Sequence, residues 1–363
     1  MINVFGSCVG AEELAEIKSS LDEQWLGMGK KVQILEKLLA NKFDITDFTL
    51  VDNCSNALFM ALELLNLSKH DEVILPSITW ISCANAVRLA GYVPVFADVD
   101  YDTVNVTTKT INDVMTDKTK AVMVVHYAGL PVHIFSKLPV IADCAHAVDT
   151  YLDGVPINQY YTINVYSFDS MKNIACGELG GICSNNLKYQ EKTKRLRYCG
   201  ILKSGLQART DKDRWWEYDV DEPFIKMLPN DIAASIGIAQ FKKLDTLQAK
   251  RKAIWDKYQS ELANVSWLIT PPAIPINIKH SYFTYFIKVI NGKRDWLARY
   301  LLDKGIYTTV RYQPLHLYSA YGSRQKLEAA ELLNEQLLNL PLHPNLSDGD
   351  VDYIIKCIKE IKW

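Results

Sequence analysis

The run Ser167-Phe168-Asp169-Ser170-Met171-Lys172-Asn173 follows directly on the apolar stretch Tyr161 to Tyr166 and is followed by Gly177, Gly180 and Gly181. It reads as the end of a buried strand opening into a loop of small residues, with a lysine in that loop. Upstream, Leu138-Pro139-Val140-Ile141-Ala142-Asp143 is another apolar run, and it ends in a carboxylate. Working outward in both directions, short apolar runs alternate with segments of helical periodicity. Strands are expected at 48–51, 73–75, 93–97, 121–125 and 139–142, with helices at 57–65, 82–90 and 108–115 between them. Segment 11–42 reads as two helical halves joined at Trp25-Leu26-Gly27-Met28-Gly29. Strands 162–168 and 179–184 lie close enough together to be an antiparallel insert. Such alternation predicts an α/β fold, a mainly parallel sheet covered on both faces.

From residue 231 the texture changes. A long helix over 231–262 leads into the proline-rich joint Thr270-Pro271-Pro272-Ala273-Ile274-Pro275. A smaller α+β unit follows: strand 282–290, helix 294–303, strand 306–310, helix 325–337 and helix 349–361. The expected organisation is a large domain over 1–240 and a small C-terminal domain over 241–363, with the 231–262 helix as the joint. The polar stretch Ser204 to Pro223 is the expected mobile loop.

Composition narrows the function. The 363 residues carry a net charge of -2, which argues against a general nucleic-acid or membrane-surface binder. No apolar run approaches the length of a membrane span, and the start lacks the pattern of a signal peptide, so a cytoplasmic protein is expected. The eight cysteines form no CxxC pair and no zinc-like cluster with histidine, so they are read as reduced core thiols, with no metal site.

In parallel sheets, ligands bind beyond the carboxyl ends of the strands. Asn53 to Asn56, Trp80, Asp143 and Ser167 to Lys172 all fall at such ends. Desolvation at Lys172 would lower its ammonium pKa and free the lone pair for a carbonyl carbon. A Schiff-base lysine with a carboxylate on a neighbouring strand end is the pairing that pyridoxal phosphate requires. The other residues each carry two readings. The turn with Ser55 either binds phosphate at a helix N-terminus or simply caps the helix, and the two are compatible. Trp80 either stacks on a flat heterocycle or packs at the pocket lip. Asp143 could instead cap the segment after it. His146 is either structural or beside a ring oxygen, and Ser167 either a phosphate donor or an ordinary strand-end serine.

Assembled, these residues resemble the DegT/DnrJ/EryC1/StrS family of pyridoxal-phosphate sugar aminotransferases. The resemblance runs through Trp25–Gly29, Asp71-Glu72-Val73-Ile74-Leu75-Pro76-Ser77-Ile78-Thr79-Trp80 and Gly91-Tyr92-Val93-Pro94-Val95-Phe96-Ala97-Asp98-Val99-Asp100. It continues through Ser167–Lys172, Gly177-Glu178-Leu179-Gly180-Gly181, Arg311-Tyr312-Gln313-Pro314-Leu315-His316 and Leu340-Pro341-Leu342-His343-Pro344. It implies a fold type I transferase with Lys172 as the Schiff-base lysine and Asp143 as partner of the pyridine nitrogen. Trp80 would stack on the ring and His146 would lie near its hydroxyl, with Ser55, Asn56 and Ser167 on the phosphate. The chain departs from the family in having Cys54-Ser55 at the phosphate turn, His146 where glutamine is commoner, and no glycine before Phe224-Ile225-Lys226. Lys226 would bind phosphate across the interface of a homodimer with shared sites.

The activity implied is transfer of an amino group from L-glutamate, through pyridoxamine phosphate, to a nucleotide-linked keto-deoxy sugar. C4 of a 4-keto-6-deoxyhexose is expected, with C3 as the alternative. Lys30, Arg209, Arg214, Arg311, Tyr312 and His316 are the expected substrate contacts. Two other readings stand beside it. Dehydratases of the family carry histidine in the lysine's place, so Lys172 points away from them. A non-catalytic sugar-nucleotide binder would not need the full set of site residues.

Overall fold

The computed structural model describes residues 1–201 and 216–363. Its centre is a seven-stranded sheet in the order β1-β9-β8-β5-β4-β2-β3. The strands are β1 (Thr49–Val51), β2 (Glu72–Pro76), β3 (Val93–Ala97), β4 (Thr119–Val125), β5 (Val140–Asp143), β8 (Ile163–Ser167) and β9 (Gly180–Cys183), while the short strands β6 (Tyr151–Leu152), β7 (Val155–Pro156) and β11 (Ile278–Lys279) form a small sheet of their own. Pairs β2/β3, β2/β4, β4/β5 and β5/β8 are parallel, and β9 alone runs against its neighbours β1 and β8. β4 and β5 are Val/Ile-rich and buried on both faces, as a helix-covered parallel strand must be.

Helices α1 (Ala11–Asp22) and α2 (Lys30–Lys42) pack on the long helix Asp231–Leu262. Asp231 fixes that docking. Its carboxylate accepts the Gly29 N–H at 2.9 Å, Lys31 N–H at 3.2 Å and Val32 N–H at 3.1 Å. A side chain from the first turn of one helix thereby satisfies the free N-terminal donors of another. Gly29 must lack a side chain here, because a Cβ would lie 2.6 Å from the Asp231 carboxylate.

The smaller unit is built on the antiparallel sheet β10-β12-β13, with β10 (Leu268–Ile269), β12 (Tyr285–Val289) and β13 (Leu337–Leu340). Helices Arg294–Asp303 and Asp348–Lys359 close its core with Trp255, Tyr258 and Leu262 of the long helix. Leu315, Leu327, Ala330 and Leu333 instead join the core of the large sheet, so this C-terminal stretch belongs by packing to both units.

Most expected elements are present within a few residues, with three differences. The expected strand 306–310 is replaced by two isolated bridges, Ile2 to Ile306 and Thr309 to Asn339. The expected helix 325–337 stops at Gln336, and Leu337 to Leu340 form β13, because their apolar side chains complete a sheet against β12. Helix α6 (Leu187–Leu196) was not expected; its polar sequence buries only Gln190, Thr193 and Leu196. Among the described residues no helix is long and apolar enough to cross a membrane.

Candidate active site

The carboxyl ends of β1, β2, β4, β5 and β8 meet at a cavity of ≈ 530 Å³. Its far wall comes from Phe5 near the N-terminus and from Arg311 and Tyr312 of the C-terminal unit.

Lys172 reaches this cavity from a tied-down loop. Phe168 N–H bonds Leu179 O at 2.9 Å, and Cys176 N–H returns to Phe168 O at 2.8 Å. Lys172 N–H is held by Asp169 O at 2.9 Å. The next side chain, Asn173, donates to Gln248 and to Ser281 O, both at 2.7 Å. The lysine therefore sits on a backbone pinned from both sides. Burial, with help from the Arg311 charge, brings its pKa down to about 8, against the opposing pull of Asp143, Cys54 and Asp169. A sizeable fraction is then the nucleophilic free amine near neutrality. Its Nζ stands 4.7 Å from the Phe283 ring centre.

Asp143 is buried at the tip of β5. One oxygen accepts the Ala145 N–H at 2.8 Å, and the other lies 3.4 Å from the Cys83 thiol. Burial raises its pKa, while the Ala145 N–H, the Lys172 charge and the Cys83 thiol hold it down. A buried carboxylate facing a cavity is a receptor for a cationic N–H. His146 stacks on Phe283 at 4.1 Å, and its Nε2 lies 3.2 Å from the Tyr312 hydroxyl. Burial and the neighbouring Lys172 and Arg311 charges push its pKa well below the ordinary value, which leaves the imidazole neutral at pH 7.

The opposite end of the cavity is an anion cradle. Helix α3 (Cys54–Leu65) starts there, capped by Asn53, whose side chain accepts the Asn56 N–H at 2.8 Å. Cys54 and Ser55, the first residues of the helix, line this end of the cavity, where the positive pole of the helix lies. Gly180 of β9 backs this turn. A Cβ on it would lie 2.4 Å from the Asn53 carbonyl and 2.6 Å from the Cys54 nitrogen, so only glycine lets the strand approach. Ser55 Oγ meets Ser82 Oγ at 2.7 Å, which brings the start of helix α4 (Ile81–Leu89) to the same place. Ser167 also lines the cavity, its Oγ accepting the Asp169 N–H at 3.4 Å.

Arg311 is buried, with its guanidinium 3.7 Å from the Phe5 ring centre and 5.0 Å from that of Phe283. It donates to the Tyr312 hydroxyl at 3.2 Å. Among the described residues no carboxylate pairs with it, so a buried cation faces the cavity awaiting an anion. Trp80 is half exposed at the rim, 5.7 Å from the Tyr312 ring.

Of the expected site residues, the cavity thus brings together Lys172, Asp143, His146, Ser55, Ser167, Trp80, Arg311 and Tyr312. Asn56 turns away, its amide donating to both Asp52 oxygens at 2.9 Å. His316 is packed in the interior between Ser77, at 2.6 Å, and Glu331, at 3.3 Å, where it ties two segments together. Lys30 is on the surface, 3.1 Å from Glu23. Lys226 is exposed and off the cavity wall. Arg209 and Arg214 lie outside the described residues. Sequence reading passed over Ser82, Cys83, Phe5 and Phe283. Ser82 follows Trp80 at a helix start and was within reach of that argument, whereas Phe5 and Phe283 carry no local signal.

An amine of lowered pKa, a buried carboxylate and an anion cradle match the aldehyde, pyridine nitrogen and phosphate of pyridoxal phosphate. With the sheet order, they define a pyridoxal-phosphate transferase of fold type I. The profile of the DegT/DnrJ/EryC1/StrS aminotransferase family matches residues 7–359, and the chain belongs to that family. It is 32% identical over 97% of its length to dTDP-4-dehydro-2,3,6-trideoxy-D-glucose 4-aminotransferase of Saccharopolyspora spinosa, 94% of which is covered. It is equally 32% identical to the spore coat polysaccharide biosynthesis protein SpsC of Bacillus subtilis, over 97% of this chain and 95% of that protein. Among solved structures, the aminotransferase TlmJ of Streptoalloteichus hindustanus superposes with a TM-score of 0.92 at 35% identity, covering 99% of this chain and 98% of TlmJ. The sugar aminotransferase Spr1654 of Streptococcus pneumoniae, in its pyridoxamine-phosphate form, gives 0.91 at 26% identity, with 99% and 98% covered. The protein is thus a sugar aminotransferase, and its cofactor is pyridoxal phosphate.

Proposed function

We propose that the enzyme moves the amino group of L-glutamate to C4 of a nucleotide-linked 4-keto-6-deoxyhexose. The observation that carries this reading is the pairing, in one cavity, of a titratable amine at Lys172 with the guanidinium of Arg311, which no carboxylate neutralises among the described residues. A donor acid brings a carboxylate for Arg311 to hold and an α-carbon proton for the Lys172 amine to take. The C4 position is supported by the 4-aminotransferase of S. spinosa.

When bound, pyridoxal phosphate supplies an electron sink for the carbon that loses its proton. The chain supplies the rest. Lys172 Nζ takes that proton and returns it to the neighbouring carbon, a task suited to an amine poised near neutrality. Asp143 holds the pyridine nitrogen in its charged form. Neutral His146 would offer a ring nitrogen to the cofactor's hydroxyl, and Trp80 would cover the ring from the rim of the cavity. Ser55, Ser167 and the first N–H groups of α3 hold the phosphate. Arg311 orients the donor's carboxylate or the anionic part of the sugar nucleotide.

The enzyme acts as a homodimer in this reading. Lys226 is exposed and lies outside its own cavity wall, as a residue serving a second copy would. Light scattering combined with subunit mixing tests this: Lys172→Ala and Lys226→Ala chains, each defective alone, should regain activity when mixed.

The decisive experiment supplies the holoenzyme with L-glutamate and a panel of dTDP-, UDP- and GDP-linked keto-sugars and determines the product by mass spectrometry and NMR. Amination at C4 with release of 2-oxoglutarate is expected. Amination at C3, or transfer from other amino acids but not glutamate, would replace this reading.

A further inference from the structure

Behind the cavity wall, Cys83 lies in the first turn of α4, wholly buried. Its N–H is fixed by Trp80 O at 3.1 Å. Its sulfur is 3.4 Å from Thr79 Oγ1 on one side and 3.4 Å from Asp143 Oδ2 on the other. Asp143 Oδ1 is already engaged by the Ala145 N–H at 2.8 Å. With a donor on each oxygen, the carboxylate cannot rotate without breaking one of the two bonds.

We infer that Cys83 is a positioning residue for amino transfer: its thiol, held by Thr79, donates to Asp143 Oδ2 and fixes the plane in which the carboxylate meets the cofactor. The inference rests on the reading of Asp143 as the partner of the pyridine nitrogen. A thiol is suited to the position because it gives a weak donor without a second charge in a buried pocket. Burial and the Asp143 charge both raise the Cys83 pKa well above its usual value, so the donor keeps its hydrogen throughout the working range. The other groups that face Asp143 are Lys172, Tyr312 and the thiols of Cys54 and Cys144. Tyr312, Cys54 and Cys144 are also shifted upward and stay neutral, which leaves Lys172 as the member of the set that titrates near pH 8.

The consequence is electrostatic and local. A carboxylate that has lost one donor carries more of its negative charge toward the cavity and favours protonated forms of whatever is bound there.

The test uses the holoenzyme and three variants, Cys83→Ala, Cys83→Ser and Asp143→Asn, with Cys83→Ala also placed in the Asp143→Asn background. The readouts are the pH midpoint of the cofactor's visible absorption band, the cofactor dissociation constant and Tm. Cys83→Ala should move the midpoint upward and weaken cofactor binding about five-fold, the scale of one modest hydrogen bond. Cys83→Ser, which keeps a shorter donor, should fall between Cys83→Ala and the parent. In the Asp143→Asn background the second change should move neither quantity further, because the group it acts through is gone. A Cys83→Ala enzyme with the parent's midpoint and cofactor affinity, whatever its Tm, would overturn the inference and make Cys83 a core filler. If Asp143→Asn itself left both quantities unchanged, the reading of Asp143 would fail instead, a separable result.

Discussion

Two cations, a half-buried lysine and a buried arginine, meet in the cavity from different parts of the chain. Lys172 comes from the parallel sheet, on a loop pinned by backbone bonds and by Asn173. Arg311 comes from the C-terminal unit, its backbone N–H held by the Asn339 side chain at 2.9 Å and its guanidinium laid against aromatic faces. Burial makes the lysine's proton labile, whereas a guanidinium keeps its proton in proteins. One supplies chemistry and the other a permanent charge. Mutual repulsion between them also helps to lower the Lys172 pKa, so the fixed charge tunes the labile one.

The comparison breaks most completely at the labile member. Lys172→Ala removes nucleophile and proton carrier together and should cut turnover about 10⁴-fold or more, read as failure of L-glutamate to bleach the cofactor's visible band. Asp143→Asn leaves the amine in place but removes the carboxylate proposed to face the pyridine nitrogen. A loss of about 10²–10³ in kcat is expected, the scale of one preorganised electrostatic group. Arg311→Gln should raise the KM of its anionic substrate by about 10-fold or more, since a charge-assisted bond is lost. The half-reaction that suffers, with glutamate or with the sugar nucleotide, identifies which anion it holds.

The tuning has its own signature. In cofactor-free protein the rate of pyridoxal phosphate uptake should climb with pH through a midpoint at about 8, following the neutral Lys172 amine. In the Arg311→Gln variant that midpoint should move upward. The sign of the stability effect follows from the same shift. The folded chain binds fewer protons than the unfolded chain between about 8 and the ordinary 10.5, so this group's contribution to stability grows as pH rises through that window. The smallest effect is structural. Gly180→Ala forces a Cβ against the Asn53–Cys54 backbone and should cost about 1–3 kcal/mol, seen as a lower Tm with weakened cofactor binding.

How much of this was legible in the sequence depended on range. The strand ends bearing Asp143 and Lys172 announced themselves because each follows a short apolar run, a local signal. The 231–262 helix was readable to its ends for the same reason. Asn56 was expected on a phosphate, and its amide turns to Asp52 four residues back, a choice between partners that the sequence of the turn does not fix. His316 was expected among the substrate contacts, and its packing against Ser77 was out of reach because that partner is remote in sequence. The aromatic sandwich around Arg311 joins the first residues of the chain to the last third, and no window of sequence contains it. Helix versus strand at Leu337–Leu340 was settled by the neighbouring strand rather than by propensity.

The Asp231 carboxylate at the head of α2 bears on the order of synthesis. Its bond to Gly29 spans 202 residues, and Ile2 pairs with Ile306 only after most of the chain exists. While the ribosome is still making the sheet, α1 and α2 have no long helix to dock on, and α2 must wait with the Leu35 side that meets Gly237 uncovered. A chain released before residue 231 would carry every strand of the central sheet yet leave that side bare, which makes truncated products a natural clientele for chaperones.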